Sequence, residues 1–372
     1  MKSELAPAIR QSVVALLGRA DAPTDALQEY CHFLGDALRV QGFSLAIERV
    51  AWAERGWRRA LRSLRRRAKG WKGMWVFVQY TALAWSARGF PGRFLRVLRI
   101  LKAAGSRIAV VYHDVEPFAG TRWIDRLRRR MQLRAMRGAM DLADAAVLTV
   151  PLEKISWLKP PCSNAAFIPV GANFPSTREA LSRRGVSNDR KLSVAVFGIT
   201  GSGETEKEVQ EIADAVRFAS ANVKNLRLVV LGRNSKAAEP QLLKCLDGIP
   251  VELQILGLLS SEDVARNLSR CDVLLFVRGQ ISSRRGSAIA GIACGLPVVA
   301  SEGPETAPPI TEAGVAFYSP QKKGDLSAVL LHVLQDEHYR ATLAQRSWVA
   351  QQRYFSWAVI ARQYAELLGR PD

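Results

Sequence analysis

The sequence predicts an α/β protein with two parallel-sheet domains. Short, continuous apolar runs, typical of strands buried on both faces, alternate with segments whose apolar residues recur at helical spacing. The chain has 372 residues, more than one core usually organises, and 48% of them are apolar. A polar stretch divides the alternation into two halves. We therefore expect domains at residues 1–176 and 191–350, a linker at 177–190 and a last helical segment at 351–372.

The composition is strongly basic, with a net charge of +19. Such a charge implies attraction to an anionic partner, which can be nucleic acid, a phosphorylated substrate or an acidic membrane surface. The five cysteines form no CxxC pair and the four histidines lack ligand spacing, which favours reduced thiols and no metal site. No apolar run reaches the ~18 residues that a membrane span needs. We expect a cytoplasmic protein that contacts the inner face of the plasma membrane peripherally.

In the first half, candidate ligand-binding residues follow two predicted strands. Gly18, Arg19 and Asp21 come after a strand at residues 12–17, and His113 and Asp114 come after a strand at residues 107–112. Open α/β sheets bind ligands at the carboxyl ends of their strands, so these residues are predicted to line a crevice. The alternatives are a plain strand-to-helix turn for the first group and a hydrogen-bonded supporting histidine for the second.

Two segments of the first half are intensely basic. One holds nine basic residues, the first Arg55 and the last Lys72, and the other holds seven arginines, the first Arg122 and the last Arg137. We predict helices at residues 55–72 and 121–143, each with one apolar stripe and a broad cationic face. The apolar side of the second helix includes Trp123, Ile124, Leu127, Met131 and Met140. Such faces favour salt-reversible adsorption to an anionic membrane, with Trp57 and Trp71 as candidate anchors at the headgroup level. The alternative is a solvated face on a basic protein.

The second half repeats the alternation of strands and helices. A glycine-rich loop after a strand at residues 192–197 contains Gly201 and Gly203, followed by Lys207, and Arg233 follows the strand at residues 226–231. The loop resembles a phosphate cradle but lacks the GK[ST] ending of a nucleotide kinase. Surface positions in ordinary loops are the alternative for each residue.

Residues 274–301 predict a strand at 274–277, a polar loop, a helix and a second strand, which together form one βαβ unit. The loop and the start of the helix hold Ser282, Ser283, Arg284, Arg285, Gly286 and Ser287. Helix amides and guanidinium groups converge there, so we predict that a phosphate binds at this point. A solvated basic loop is the alternative.

The segment ACGLPVVAS at residues 293–301 resembles the end of the donor site in family 4 glycosyltransferases of the GT-B fold. VVYHD at residues 110–114 and IPVGAN at residues 168–173 are similar to further segments of that family. The resemblance implies two Rossmann-like parallel-sheet domains facing across a cleft, with a last helix that crosses back to the first domain. It also implies a nucleotide-sugar donor and retention of anomeric configuration. The sequence departs from the family at Ser282 and Ala290, which stand where the family has a Glu-x7-Glu pair.

The resemblance further implies roles for individual residues. It makes His113 and Asp114 catalytic candidates, gives Gly201, Gly203 and Lys207 to the donor diphosphate, and turns the loop at Gly18 towards the acceptor. The expected activity is transfer of a sugar from a UDP- or GDP-linked donor to a saccharide or lipid-linked acceptor, in bacterial polysaccharide or glycolipid assembly. No cofactor, metal or nucleic-acid partner is expected. The alternatives are a catalytically inactive GT-B homologue and a basic nucleic-acid-binding protein.

Overall fold

The computed structural model describes residues 11–159, 161–174 and 191–369, so the predicted linker at 177–190 lies outside the described residues. The chain divides into two compact units. Unit 1 comprises Met1–Pro169 and Trp357–Asp372, and unit 2 comprises Val170–Ser356. The sequence pattern predicts these divisions at residues 176 and 350. Within the described ranges, no helix combines the length and apolarity needed to cross a bilayer.

Unit 1 is a six-stranded parallel sheet with helices on both faces. Its strands are β1 (Gln11–Leu17), β2 (Phe43–Arg49), β3 (Trp75–Tyr80), β4 (Arg107–Tyr112), β5 (Ala145–Leu148) and β6 (Ala165–Phe167). Its helices are α1 (Ala26–Val40), α2 (Trp52–Arg55), α3 (Trp57–Ala68), α4 (Phe94–Ala103), α5 (Trp123–Leu142) and α12 (Trp357–Leu368). The strand order is β2-β1-β3-β4-β5-β6, which reverses direction between β1 and β3.

The two faces of this sheet carry different helices. Helices α3, α4 and α5 pack side by side on one face, over a core that includes Leu16, Val78 and Val110. Helices α1 and α12 contact each other through the Tyr30 and Tyr364 hydroxyls, which lie 3.0 Å apart. The last helix is thereby fixed to unit 1.

The basic segments differ from the prediction in two respects. The helix expected at residues 55–72 is broken at Gly56, whose φ of +73° is costly for other residues, and α3 ends at Ala68. In α5, Trp123 and Leu127 were expected to help form the apolar side of the helix, and this is wrong. They are 76% and 43% exposed, because the core-facing side of α5 is formed instead by residues such as Met136.

Unit 2 repeats the architecture with a second six-stranded parallel sheet. Its strands are β7 (Leu192–Phe197), β8 (Leu226–Leu231), β9 (Val251–Gly257), β10 (Val273–Gln280), β11 (Val298–Ser301) and β12 (Val315–Tyr318). Its helices are α6 (Thr205–Ser220), α7 (Ser235–Cys245), α8 (Ser261–Leu268), α9 (Gly286–Ala293), α10 (Asp325–Gln335) and α11 (Glu337–Ala350). The order is β12-β11-β10-β7-β8-β9, so the sheet reverses direction between β10 and β7.

Strand β10 is longer than the apolar run that predicts it. It continues past Val277 to Gln280, and its register with β11 shifts between Phe276 and Gln280. The loop before α9 therefore shrinks to residues 281–285, and Arg278 belongs to the end of the strand.

Gly18 provides a test of the packing where the order of the first sheet reverses. A Cβ at this position would lie 2.2 Å from the Ala84 carbonyl oxygen, a backbone atom that cannot rotate away. We expect Gly18→Ala to lower the free energy of unfolding by about 1–3 kcal/mol through overpacking. Gly70→Ala is the control, since a Cβ at Gly70 meets nothing within 4 Å. Equal midpoints of urea unfolding for the two variants would contradict this packing.

Candidate functional site

The candidate donor site lies where the strand order of unit 2 reverses. Strands β7 and β10 are neighbours, while β8 and β11 flank them on opposite sides. Ligands of open α/β sheets bind outside the carboxyl ends of strands at such a reversal. Here the loops after β7 and β8 meet, because the Ile199 amide donates a hydrogen bond to the Arg233 carbonyl oxygen at 3.0 Å.

Arg278 lies at this point and was not among the predicted site residues. Its guanidinium covers Gly198, where a Cβ would lie 3.0 Å from Arg278 Nη1. Burial lowers the pKa of Arg278, with Glu208 acting to raise it and Arg233 to lower it further. Arginine keeps its charge in proteins, so two guanidinium groups influence each other here at the edge of the sheet.

One buried carboxylate lies close to these cations. Glu208 is 6% exposed, and its Oε2 accepts a hydrogen bond from the Thr200 amide at 2.8 Å. The negative charge of Glu208 offsets part of the positive charge of Arg278. Arg278 is not predicted as a site residue from the sequence, because the apolar run predicts a strand that ends at Val277. The available signal was a cation that directly follows a buried strand.

The loop at residues 281–285 holds an ion pair that the sequence did not predict. Arg284 donates from Nε and Nη2 to the two carboxylate oxygens of Glu305, at 2.7 and 2.8 Å. The Ser282 hydroxyl donates to Glu305 Oε2 at 3.0 Å. Arg284, which is predicted to bind a phosphate, is paired with the Glu305 carboxylate in this structure. The two side chains are 19% and 17% exposed, so the pair is largely shielded from solvent.

The electrostatics of Glu305 follow from this pairing. Burial alone would raise the pKa of the carboxyl group, but the hydrogen bond and charge of Arg284, together with Ser282, bring it below its ordinary value. Glu305 is therefore an ionised carboxylate near neutral pH. It is held on the loop after β11, beside the loop after β10.

The remaining predicted residues of this loop surround the start of α9. Arg285 is the N-cap residue, and its Nη2 lies 3.9 Å from where a Cβ on Gly279 would be. Gly286 is exposed and Ser287 is partly buried in the first turn. Ser283 is buried, and its carbonyl oxygen accepts a hydrogen bond from the Val170 amide at 3.1 Å. Arg285, Gly286 and Ser287 are therefore the residues of this group placed to meet a ligand.

Only part of the glycine-rich loop after β7 lies beside the loop after β8. Gly201 lies beside Asn234, whose Nδ2 would be 3.1 Å from an added Cβ. A Cβ on Gly203 would meet nothing within 4 Å. Lys207 is 72% exposed, and its Nζ lies 4.0 Å from Glu211 Oε1 in the next turn of α6. Lys207 is thus oriented along its own helix.

In unit 1, His113 and Asp114 lie at the carboxyl end of β4. His113 Nε2 and Gln79 Oε1 are 2.8 Å apart, and the imidazole ring packs edge-on against Tyr30 at 5.0 Å. Asp114 Oδ2 accepts a hydrogen bond from the Ala82 amide at 2.9 Å. Both side chains therefore hold neighbouring segments of unit 1 in place.

The three predicted acceptor-side residues differ in accessibility. Gly18 is buried, and its carbonyl oxygen accepts a hydrogen bond from Arg49 Nη1 at 2.9 Å. Arg19 is partly buried, with its amide bound to the Ala84 carbonyl oxygen at 2.8 Å, and Asp21 is exposed. Only Arg19 and Asp21 present side chains to solvent. Across the part of the chain that the structure describes, no group of three or more His, Cys, Asp or Glu side chains is placed to hold a metal.

The Arg284–Glu305 pair predicts a pH dependence of stability. The carboxyl pKa is lowered in the folded protein from an ordinary 4.5, so the pair stabilises above pH 4.5 and its contribution is lost as the pH falls through the lowered value. We expect Glu305→Gln to cost about 1–3 kcal/mol at pH 7 and progressively less towards pH 3. Glu302→Gln, at an exposed position on the same loop, is the control. A pH-independent difference in unfolding free energy would contradict the assignment.

Comparison with known proteins places this site in context. Residues 194–336 match the family model for glycosyl transferases group 1. No curated protein sequence matches the chain at a significant level.

Three solved structures cover nearly the whole chain. HepE of Anabaena, in complex with UDP and glucose, is 14% identical, with 96% of this chain and 99% of that chain covered and a TM-score of 0.65. Sucrose-phosphate synthase from Thermosynechococcus elongatus is 17% identical, with coverage of 96% and 98% and a TM-score of 0.66. A putative UDP-N-acetylglucosamine 2-epimerase from Listeria monocytogenes is 12% identical, with coverage of 95% and 94% and a TM-score of 0.61.

At these identities the likeness shows the fold, while the family match covers most of unit 2. The prediction of two parallel-sheet α/β domains is confirmed. The chain has the GT-B fold, and residues 194–336 of its second unit match the family model for glycosyl transferases group 1.

Proposed function

We propose that the chain is a retaining glycosyltransferase, which moves a sugar from a nucleoside-diphosphate sugar to an acceptor hydroxyl. The observation that carries the proposal is the position of Arg233 and Arg278 at the strand reversal of unit 2, in a domain of glycosyl transferases group 1. In such a transfer the nucleoside diphosphate leaves with growing negative charge. Fixed guanidinium groups in a partly buried site stabilise that charge without reorganising, which lowers the barrier.

The donor phosphates would lie between these arginines and the start of α9. Arg285 and the amides of Gly286 and Ser287 contribute donors there, in the region of positive helix potential. Gly201 and Gly203 have no side chains, which lets a diphosphate approach the backbone at these two positions of the loop after β7. We propose UDP as the nucleotide to test first, since HepE was solved with UDP, and GDP as the alternative.

Glu305 favours an active enzyme over an inactive homologue. The resemblance to family 4 leaves Ser282 where the first glutamate of the pair is expected. The Glu305 carboxylate accepts a hydrogen bond from the Ser282 hydroxyl at 3.0 Å, so a neighbouring loop supplies a carboxylate at this place. His113 and Asp114 remain our catalytic candidates in unit 1, with Arg19 and Asp21 on the acceptor side.

A membrane-associated acceptor is the second part of the proposal. We define the cationic face as the outward side of α3, α4 and α5. These helices hold fifteen basic and two acidic residues, a net charge of +13 out of +19 for the chain. Phe118, Trp123 and Leu127 add exposed apolar side chains near the start of α5. Trp57 and Trp71, which the sequence predicted as anchors, are instead partly buried against the core.

This distribution of charge supports adsorption to an anionic membrane, since each engaged cation contributes about 1 kcal/mol. A lipid-linked acceptor in polysaccharide or glycolipid assembly would suit an enzyme held at such a surface.

The donor site can be tested by nucleotide binding. A charge-assisted hydrogen bond contributes about 1.5–3 kcal/mol, so we expect Arg278→Gln and Arg233→Gln each to weaken UDP binding roughly ten- to hundredfold. Arg266→Gln, an exposed arginine on α8, is the control. The measurement is thermal shift with UDP, GDP and dTDP sugars, followed by hydrolysis and determination of the product anomer. If no nucleotide sugar raises the melting temperature of the wild type, the proposed function fails.

The membrane part is tested by flotation with liposomes. We expect binding to anionic liposomes at low salt, release at high salt, and no binding to neutral liposomes. Reversal of Arg62, Arg65 and Arg66 to glutamate should reduce flotation at least tenfold with donor hydrolysis unchanged. The matched control reverses Lys224, Lys244 and Arg270, which are exposed residues of unit 2. Equal loss in both triple variants would indicate a net-charge effect, and salt-sensitive retention on DNA without flotation would favour a nucleic-acid partner.

A further inference from the structure

We infer that unit 1 contains a binding site for one membrane amphiphile with a phosphate headgroup, formed by two adjoining cavities beside the start of α4. The first, the aromatic cavity, has a volume of about 340 Å³. Its apolar walls are Trp52, Trp57, Trp85, Phe90 and Met131. The second, the arginine groove, has a volume of about 470 Å³. Trp57, Arg93 and Arg96 line both cavities, so the two adjoin along these side chains.

The walls of the aromatic cavity are held in place by contacts within the protein. Trp52 and Trp57 stack with ring centroids 5.1 Å apart and planes inclined by 9°. Trp52 Nε1 donates to the Ala84 carbonyl oxygen and Trp85 Nε1 to the Gln79 carbonyl oxygen, each at 2.9 Å. Two indole N–H groups are therefore satisfied internally, so neither needs a hydrogen-bond partner from a ligand. The aromatic side chains are already ordered in the folded protein. A ligand that packs against them therefore causes little further loss of side-chain conformational entropy.

The arginine groove supplies charge of one sign. Its five arginines are Arg55, Arg58, Arg59, Arg93 and Arg96. Across the described ranges, none of the five forms an ion pair with an acidic side chain. The Arg93 guanidinium instead lies 5.8 Å from the centroid of the Trp57 ring. Guanidinium groups clustered without a carboxylate repel one another, and a phosphate relieves that repulsion through paired hydrogen bonds.

The shared boundary determines the class of ligand. A molecule that fills both cavities is anionic at one end and apolar at the other, with the change of character at Arg93 and Arg96. A free phosphate or a sugar phosphate would leave the tryptophan walls empty, and a neutral apolar molecule would leave the arginines unmatched. An amphiphile with a phosphate headgroup satisfies both parts.

The position of the site selects a membrane as the source of this amphiphile. Arg58, Arg59 and Arg96 also belong to the cationic face, which we propose to adsorb to anionic lipid. The inference rests on that part of the proposed function, and it does not depend on sugar transfer. It adds a discrete site for one lipid to a diffuse electrostatic attraction.

The test uses n-dodecyl phosphate below its critical micelle concentration, with binding to the full chain measured by calorimetry. Inorganic phosphate and dodecyl maltoside are the probes that carry only one half of the ligand. We expect dodecyl phosphate to bind at least tenfold more tightly than either. Arg93→Gln combined with Arg96→Gln should weaken its binding at least tenfold, because two charge-assisted contacts are lost. Trp57→Leu should weaken dodecyl phosphate but not inorganic phosphate.

The matched control is Arg99→Gln combined with Arg134→Gln. These two exposed arginines line the neighbouring groove between α4 and α5 and carry the same charge. We expect this control to bind dodecyl phosphate like the wild type. The inference is overturned if both double variants lose affinity equally, if inorganic phosphate binds as tightly as dodecyl phosphate, or if dodecyl maltoside does. UDP binding is measured on the same proteins, so failure of the donor site is seen separately from failure of this site.

Discussion

The connections that leave β7 and β10 lead to opposite sides of the sheet in unit 2, because the strand order reverses between these two neighbours. Parallel pairing puts the ends of both strands at one edge, and the divergence of their connections leaves a crevice there. Arg233 and Arg278 follow or end strands at this edge, although 45 positions separate them in the sequence. The strand order of the sheet thus brings the two arginines to one edge, and a local sequence motif does not predict this.

Two arginines of unit 2 show how differently a protein uses the same side chain. Arg284 is satisfied by a bidentate carboxylate, so its removal would expose the charge of Glu305 more than it would remove a ligand contact. Among the described residues, the one hydrogen bond of the Arg278 side chain is a long one of 3.5 Å to the Thr200 hydroxyl, and burial lowers the pKa of Arg278. A cation held under such conditions gains most from a ligand that brings negative charge, which makes Arg278 the stronger candidate.

The sequence predicts most of the fold because strands and helices have local signals. The apolar runs locate β1, β4, β7 and β8 almost to the residue, and Ser260 marks the start of α8 through its side-chain cap. Contacts between distant segments have no such signal. The approach of Glu305 to Ser282 depends on the loops after β10 and β11 being neighbours, and the exposure of Trp123 depends on which side of α5 meets the sheet.

Most of the net positive charge of the chain lies on unit 1, whereas the candidate donor site belongs to unit 2. Thirteen of the nineteen net positive charges lie on α3, α4 and α5, whereas Arg284 in unit 2 is neutralised by Glu305 and Arg278 lies close to Glu208. A donor diphosphate needs a few fixed donors in a partly buried crevice, and surplus surface charge would add little to its binding across a Debye length of about 8 Å. An extended anionic surface needs many exposed cations on one face, which is the arrangement that the three helices provide. The two sets of arginines thus suit the two anions that we propose, a donor diphosphate for unit 2 and an anionic membrane surface for unit 1.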